Sequence, residues 1–234
     1  MDNKKIIEKY YLEFKEISYK GAAGFGFNLI WARMENRFMG KHFEKVLEVG
    51  ATHLEHLKYI KHSYAEYFAT DLNEHTTDPE IERMIQSFGK SQQVTRAIAD
   101  AENLPYPDEH FDRVLTTCLF HHLSFPEKAM QEMLRVTKVG GTISFFLPYD
   151  PGITFRLIRF LSTRRRGKKL HRQGKIEDPL LIWALEHRNH VGGLRVLIRE
   201  IYGKHQMTRN YIPPYFKSWN LGLAEIYHIT KCQK

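Results

Sequence analysis

The feature that most constrains this chain is a series of five short apolar segments alternating with helical or turn-forming stretches between Lys45 and Pro148. Val46-Leu47-Glu48-Val49 ends at Gly50, Tyr64 to Thr70 ends at Asp71, and Gln93 to Ala99 ends at Asp100; Arg113 to Cys118 and Thr142 to Leu147 follow. The last of these, after a tight turn at Gly140-Gly141, is rich in the β-branched and aromatic residues that strands favour. Leu54 to Lys61 reads as helical, and so does Glu127 to Val136, with Ala129, Met130, Met133 and Leu134 on one side. Such alternation requires right-handed crossovers and a mostly parallel sheet covered on both faces, so the expected fold is doubly wound α/β. In sheets of this kind ligands bind beyond the carboxyl ends of the strands, which directs attention to the residues that close each segment.

Outside this region, Lys4 to Ile17 places Ile7, Tyr10, Tyr11 and Phe14 on one helical face. Gly21 to Gly26 reads as a joint, and a helix resumes over Leu29 to Phe38. Beyond Pro148 come about forty residues that a minimal sheet does not need, then a helix over Gly192 to Tyr202 and strands over Gln206 to Ile212 and Leu223 to Lys231. The expected organisation is a helical cap over residues 1–44 and one α/β domain over 45–234, with a basic helical insertion at about 150–191.

Composition narrows the class. An apolar content of 42% with 13% aromatics supports a core and excludes disorder. No run approaches the roughly 18 to 20 apolar residues of a membrane span, and the first residues lack a secretion signal, so a cytoplasmic location is expected. The two cysteines are too few for a disulfide framework. The net charge of +8 is local: Pro151 to Ile176 holds nine Lys or Arg and no acid, and taking nine from +8 leaves about −1 elsewhere. The pattern does not suit nucleic-acid binding, which would call for an aromatic-basic platform.

The strand ends form a nucleoside-binding arrangement. Glu48 and Gly50 bracket a turn that brings a ligand near backbone amides, and a carboxylate at Asp71 accepts both ribose hydroxyls. Asp71 lies 21 residues after Gly50, near the ~20 expected, and Asp100 sits where an adenine amino group is read. The competing interpretation has these acids merely cap helices or turns. His121 and His122, just past the fourth segment, and Asp150, past the fifth, are the candidate catalytic groups; a helix-entry role is open for at least one histidine. No metal site is expected, because the pairs His53/His56 and His187/His190 lack an evident third ligand. Glu186-His-Arg-Asn-His190 is read either as a polar substrate pocket through His187 and His190 or as a helix end.

The run Asp100-Ala-Glu-Asn-Leu-Pro-Tyr-Pro-Asp-Glu-His-Phe-Asp112, continuing through Cys118-Leu-Phe-His-His-Leu123 to Leu134-Arg-Val-Thr-Lys-Val-Gly-Gly141, resembles the class I S-adenosylmethionine-dependent methyltransferases of type 11. The nearest subgroup includes the ubiquinone and menaquinone biosynthesis C-methyltransferases. The resemblance spans about Lys45 to Pro148 and implies a seven-stranded Rossmann-like sheet whose last strand is antiparallel. It implies S-adenosylmethionine as cofactor and S-adenosylhomocysteine as product. By residue, it implies that Gly50, Ala51 and Thr52 hold the methionine part, Asp71 the ribose, Leu72 an adenine face, Asp100 and Ala101 the adenine edge, and Cys118 the floor near the sulfonium. One departure stands out: the family's Glu-x-Gly-x-Gly-x-Gly loop reads Glu48-Val-Gly-Ala-Thr-His-Leu54, so Thr52 and Leu54 replace two glycines. Crowding there is expected to weaken cofactor binding or move the loop.

The implied reaction is methylation of a small, anionic acceptor such as a sugar, nucleotide-sugar or lipid-linked saccharide, with O-methylation leading and Tyr149 and Arg156 on the acceptor side. Two alternatives are a cofactor-binding regulator without catalysis and a membrane-associated quinone or phospholipid methyltransferase touching the inner face of the membrane through Arg156 to Lys175. In the insertion, Ile153, Leu157, Ile158, Phe160 and Leu161 form an apolar arc and Arg156, Arg159 and Thr163 a polar one, which suits a lid or an interfacial helix.

Overall fold

A computed structural model describes residues 6, 9–10, 13, 21–52, 54–72, 83, 85–86, 94–218 and 220–233. Its centre is a seven-stranded sheet of order β3-β2-β1-β4-β5-β7-β6. The strands are β1 (His42–Val49), β2 (Ser63–Asp71), β3 (Val94–Ile98), β4 (Phe111–Thr117), β5 (Thr137–Pro148), β6 (Gln206–Ile212) and β7 (Ala224–Thr230). The first five run parallel, and β7 pairs antiparallel with both β5 and β6. Strand order reverses beside β1, so a crevice opens where β1 and β4 end.

Alternation along the strands feeds two cores. Leu47, Val49, Val114, Ile143, Phe145 and Leu147 face α2 (Pro126–Val136) and α6 (Val191–Tyr202), where the Tyr202 hydroxyl donates to Met130 O at 2.8 Å. On the other face Val46, Tyr67, Leu115, Phe146 and Ile226 meet Ile30, Trp31 and Met34 of α1 (Gly21–Glu35). The expected joint at Gly21 to Gly26 is instead the start of this helix: apolar packing of its later turns outweighs the helix cost of glycine, about 1 kcal/mol each. The expected helix after Gly50 is one 3₁₀ stretch, Glu55–Tyr59, and β5 runs straight through Gly140-Gly141. The expected helix over Lys4 to Ile17 falls largely outside the described residues.

The insertion comprises α3 (Ile153–Ile158), a π-helical turn (Arg159–Thr163), α4 (Arg164–Arg172) and α5 (Pro179–Glu186). Gly167 of α4 lies against Pro179, where a Cβ would come within 3.0 Å of the ring. Among the described residues no helix is long and apolar enough to cross a membrane.

Beneath the sheet lies a buried polar network. Arg113 on β4 donates to both oxygens of Glu35 at the end of α1, at 2.8 and 2.5 Å, and its guanidinium sits 4.0 Å from the Phe38 ring centroid. His56 lies 3.1 Å from Glu35 Oε1 and 3.6 Å from Glu48 Oε1. The network therefore ends under the loop that follows β1.

Candidate functional site

The parallel strands bring the closing residues of β1 to β5 to one edge. Gly50 has φ +70°, and a Cβ there would press on the Leu119 side chain at 3.0 Å, so this position of the cradle requires glycine. Thr52 and Leu54 have φ 43° and 56°, in the left-handed region that glycine favours. The loop thus keeps a left-handed course despite both replacements, at a cost of about 1–2 kcal/mol per residue. Leu54 contributes to offsetting that cost by packing, 2% exposed, with Ile30 and Trp31. Thr52 N donates to Asp71 Oδ2 at 3.0 Å, and Gly50 N and Ala51 N both donate to Thr70 O.

Asp71 ends β2 half-buried, with Leu72 beside it 62% exposed. An exposed leucine next to a carboxylate provides a flat apolar face for a base beside an acceptor for ribose hydroxyls, so these residues fit an adenosyl group. Asp100 is exposed, its Oδ1 accepting from Glu102 N at 2.8 Å, and Ala101 is buried beneath it. Glu48 differs from expectation: it is fully buried and accepts from Tyr67 Oη at 2.6 Å, so it braces the loop from below and does not face the crevice. Burial pushes its carboxyl up, against the pull of nearby His56. Cys118, with φ 72°, sits just past β4, and burial, aided by the charge of Asp150, pushes its thiol up and keeps it protonated.

On the acceptor side, three histidines converge from different elements. His121 and His122 follow β4, and His187 ends α5; ring centroids are 3.9 Å apart for 121/122, 4.8 Å for 121/187 and 5.3 Å for 122/187. His187 Nδ1 lies 2.5 Å from Asp150 Oδ2, close in distance but off regular hydrogen-bond geometry, and Trp183 Nε1 donates to the same oxygen at 3.2 Å. Arg159 approaches Asp150 at 3.9 Å while stacking on Trp183 at 4.4 Å. Burial would raise Asp150, but His187, Trp183 and Arg159 together hold it below the ordinary carboxylate range. Burial, reinforced by the other two rings, keeps His121 well below the ordinary imidazole range; burial also lowers His187, against the pull of Asp150. His122 Nδ1 is 3.1 Å from Glu186 Oε2.

Three sequence expectations are corrected here. Tyr149 does not line the acceptor side: parity along β5 puts it on the same face as Ile143, Phe145 and Leu147, fully buried, with its hydroxyl 3.3 Å from Glu225. His190 caps α6, its Nδ1 accepting from Gly193 N at 3.3 Å, so of the Glu186 to His190 stretch it is His187 and Glu186 that reach the cluster. Arg156 is exposed on α3, and the arginine that reaches inward is Arg159. Trp183 carried no local signal; Arg159 stood in the polar arc and Glu186 in the polar stretch, but their approach to Asp150 and His122 arises from the fold of the insertion.

Fold and strand-end chemistry together describe a doubly wound sheet whose carboxyl edge fits an adenosyl group. Residues 47–145 match a family model described as a methyltransferase domain. The match runs from the end of β1 into β5, so this parallel part of the sheet is a methyltransferase domain similar to those of the class I S-adenosylmethionine-dependent enzymes. It is 30% identical over 122 residues to the ubiquinone/menaquinone biosynthesis C-methyltransferase UbiE of Pseudomonas fluorescens, covering 50% of this chain and 47% of that protein. It is 47% identical over 47 residues to the same enzyme of Laribacter hongkongensis, covering 20% and 19%. The chain thus spans less than half the length of these curated relatives. Among solved structures, a putative methyltransferase of Haloferax volcanii, in complex with the Trm112 methyltransferase activator, superposes with TM-score 0.60 at 12% identity over 98% of each chain. Phosphoethanolamine N-methyltransferase 2 of Haemonchus contortus, in complex with S-adenosyl-L-methionine, gives 0.56 at 12% identity over 96% of this chain and 60% of that one. At these identities the structural likeness concerns the fold.

Proposed function

We propose that the chain transfers the methyl group of S-adenosylmethionine to a small acceptor drawn from an anionic membrane surface, such as a quinone-type ring or another lipid-linked molecule. The observation that carries this reading is the orientation of the insertion. Ile153, Leu157, Phe160 and Leu161, spaced as one helical face, are 60, 55, 54 and 51% exposed, while Arg159 between them turns inward to Asp150. Apolar residues outward beside the cationic α4 describe an interfacial helix, with each nearby Lys or Arg worth about 1 kcal/mol at an anionic surface. The names of the relatives weight the acceptor toward quinone C-methylation and away from the sugar O-methylation expected first.

The cofactor brings an already activated methyl on its sulfonium. This chain's residues do the rest. Asp71 and Leu72 orient the nucleoside, the Gly50 loop holds the amino-acid tail, and the buried His121 limits water at the acceptor end. Alignment with the acceptor at about 3–3.5 Å supplies much of the rate. An acceptor hydroxyl or weakly acidic carbon must also lose a proton, and the neutral imidazoles beside Asp150 are the available bases.

The test is co-sedimentation with phosphatidylglycerol vesicles, comparing wild type with Leu157→Glu/Phe160→Glu and with Arg165→Ala/Lys169→Ala. Wild type is expected to pellet and both variants to stay in solution; equal pelleting of all three rejects the membrane part. Calorimetry with S-adenosylhomocysteine checks the cofactor independently, and no heat at millimolar ligand rejects the methyltransferase reading.

A second reading has its own observation. Arg165, Lys168, Lys169, Arg172 and Gln173 line a groove of about 460 Å³, suited to a soluble phosphate- or carboxylate-bearing acceptor. Vesicle-independent turnover of such an acceptor favours it. Cofactor binding without release of adenosylhomocysteine in a metabolite extract favours the regulator.

A further inference from the structure

We propose that His121, His122 and His187 form a site for one divalent transition-metal ion, Zn²⁺ or its close analogues, at the acceptor end of the crevice. One ring nitrogen from each comes within 4.8 Å of the other two, and theirs is the one metal-competent cluster among the described residues. Ligands at ~2.0–2.1 Å in a tetrahedral site are about 3.3–3.4 Å apart, so small side-chain rotations complete the set. Sequence spacing concealed it: His187 was paired with His190, whereas its partners come from the turn after β4.

Two further observations point to a ligand. His121 is 4% exposed, and its Nδ1 is buried with no hydrogen-bond partner. A buried imidazole nitrogen left unpaired is costly, and a metal ion is one of few groups that satisfy it among other imidazoles. The outer groups also have the right character. His122 Nδ1 lies 3.1 Å from both the backbone O and Oε2 of Glu186, and His187 Nδ1 lies 2.5 Å from Asp150 Oδ2, so each ring has an acceptor on the side where an outer group orients a ligating histidine.

Imidazole-only donors suit Zn²⁺, Co²⁺, Ni²⁺ or Fe²⁺ over Mg²⁺ or Ca²⁺, which prefer oxygen. Three protein ligands leave a fourth position open, as in catalytic zinc sites. In the methyltransferase reading, on which this role rests, that position would take an oxygen of the acceptor; the ion would lower its pKa so that its proton passes to solvent water, and the oxygen would then take the methyl as the S–CH3 bond breaks to leave the neutral thioether. The binding site itself does not depend on that reading.

The experiment uses the full chain, stripped with chelator and titrated with Co²⁺ and Zn²⁺, with metal content after gel filtration and the visible Co²⁺ spectrum as readouts. One ion per chain and intense tetrahedral bands are expected. His187→Gln and His122→Gln, both at partly exposed rings, are expected to weaken affinity at least 100-fold with circular dichroism unchanged. His42→Ala, at the opposite end of β1, should bind as wild type. Absence of stoichiometric metal in the wild type, or equal affinity in the His187, His122 and His42 variants, overturns the proposal. Adenosylhomocysteine calorimetry on the same samples separates the two readings: cofactor without metal rejects only this site, and metal without cofactor supports the site while rejecting the methyltransferase.

Discussion

Replacing Arg113 with Met strips Glu35 of the cation that neutralises it. Both side chains are wholly inaccessible, and the two hydrogen bonds at 2.8 and 2.5 Å are the main compensation for burying the carboxylate. His56 and His62, at 3.1 and 3.9 Å, are weaker substitutes. Removing one partner of such a pair costs about 3–5 kcal/mol, because a buried charge is left behind. For a chain of this size 1 kcal/mol moves the midpoint about 2–4 °C, so Arg113→Met is expected to lower Tm by about 6–20 °C. Glu35→Leu/Arg113→Met removes both charges and should recover part of that loss, giving a coupling of at least about 1.5 kcal/mol in a double-mutant cycle. Thermal and urea melts of the four proteins supply the cycle. A single variant within 1 kcal/mol of wild type, or a double variant equal to the sum of the singles, refutes the claim that this pair anchors α1 to the sheet.

Three other outcomes follow from geometry already described. Thr52→Gly relieves a left-handed residue but adds unfolded-state entropy, so a net gain of about 0.5–1 kcal/mol is expected in chemical denaturation; a loss would mean Thr52 makes contacts that outweigh its strain. Asp71→Ala should weaken adenosylhomocysteine binding by about 10- to 100-fold, or about 1.4–2.8 kcal/mol by calorimetry, and an unchanged Kd would remove the ribose role. His228 is held neutral by burial, and then by the charge of Arg113, with its pKa pushed down to about 3. The unfolded state takes up this proton below about pH 6.5 while the folded state does not, so stability falls as pH drops from about 6.5 toward 3, by up to ~1.4 kcal/mol per pH unit from this group. Melts from pH 7 to 5 should show the slope in the wild type and a shallower one in His228→Gln.

Much of the architecture was legible because it is local. β6 was read residue for residue, and α2 and α6 to within one residue, since amphipathic periodicity and β-branched runs are properties of short windows. Gly21 to Gly26 misled because composition speaks for a joint while the packing of Phe27, Ile30 and Trp31 decides for helix. At the site, the strand-end acids were visible as spacing, and their placement at one edge follows from parallel pairing. Tyr149 was misplaced because it carries the inward parity of β5 one residue past the strand's end, a boundary the sequence does not mark. The His187 contact with His121 joins residues 66 positions apart, and no window contains it.

Leu54 ties the cofactor loop to the rest of the molecule in a way that glycine cannot. Its side chain shares a cluster with Ile30, Trp31 and Met34, so the loop cannot detach without disturbing α1. In hydrogen-exchange terms the loop amides and the amides of α1 should open as one cooperative unit with a common free energy. A loop with glycine at this position would fray by itself. Here adenosyl ligands are therefore expected to slow exchange in α1 together with the loop.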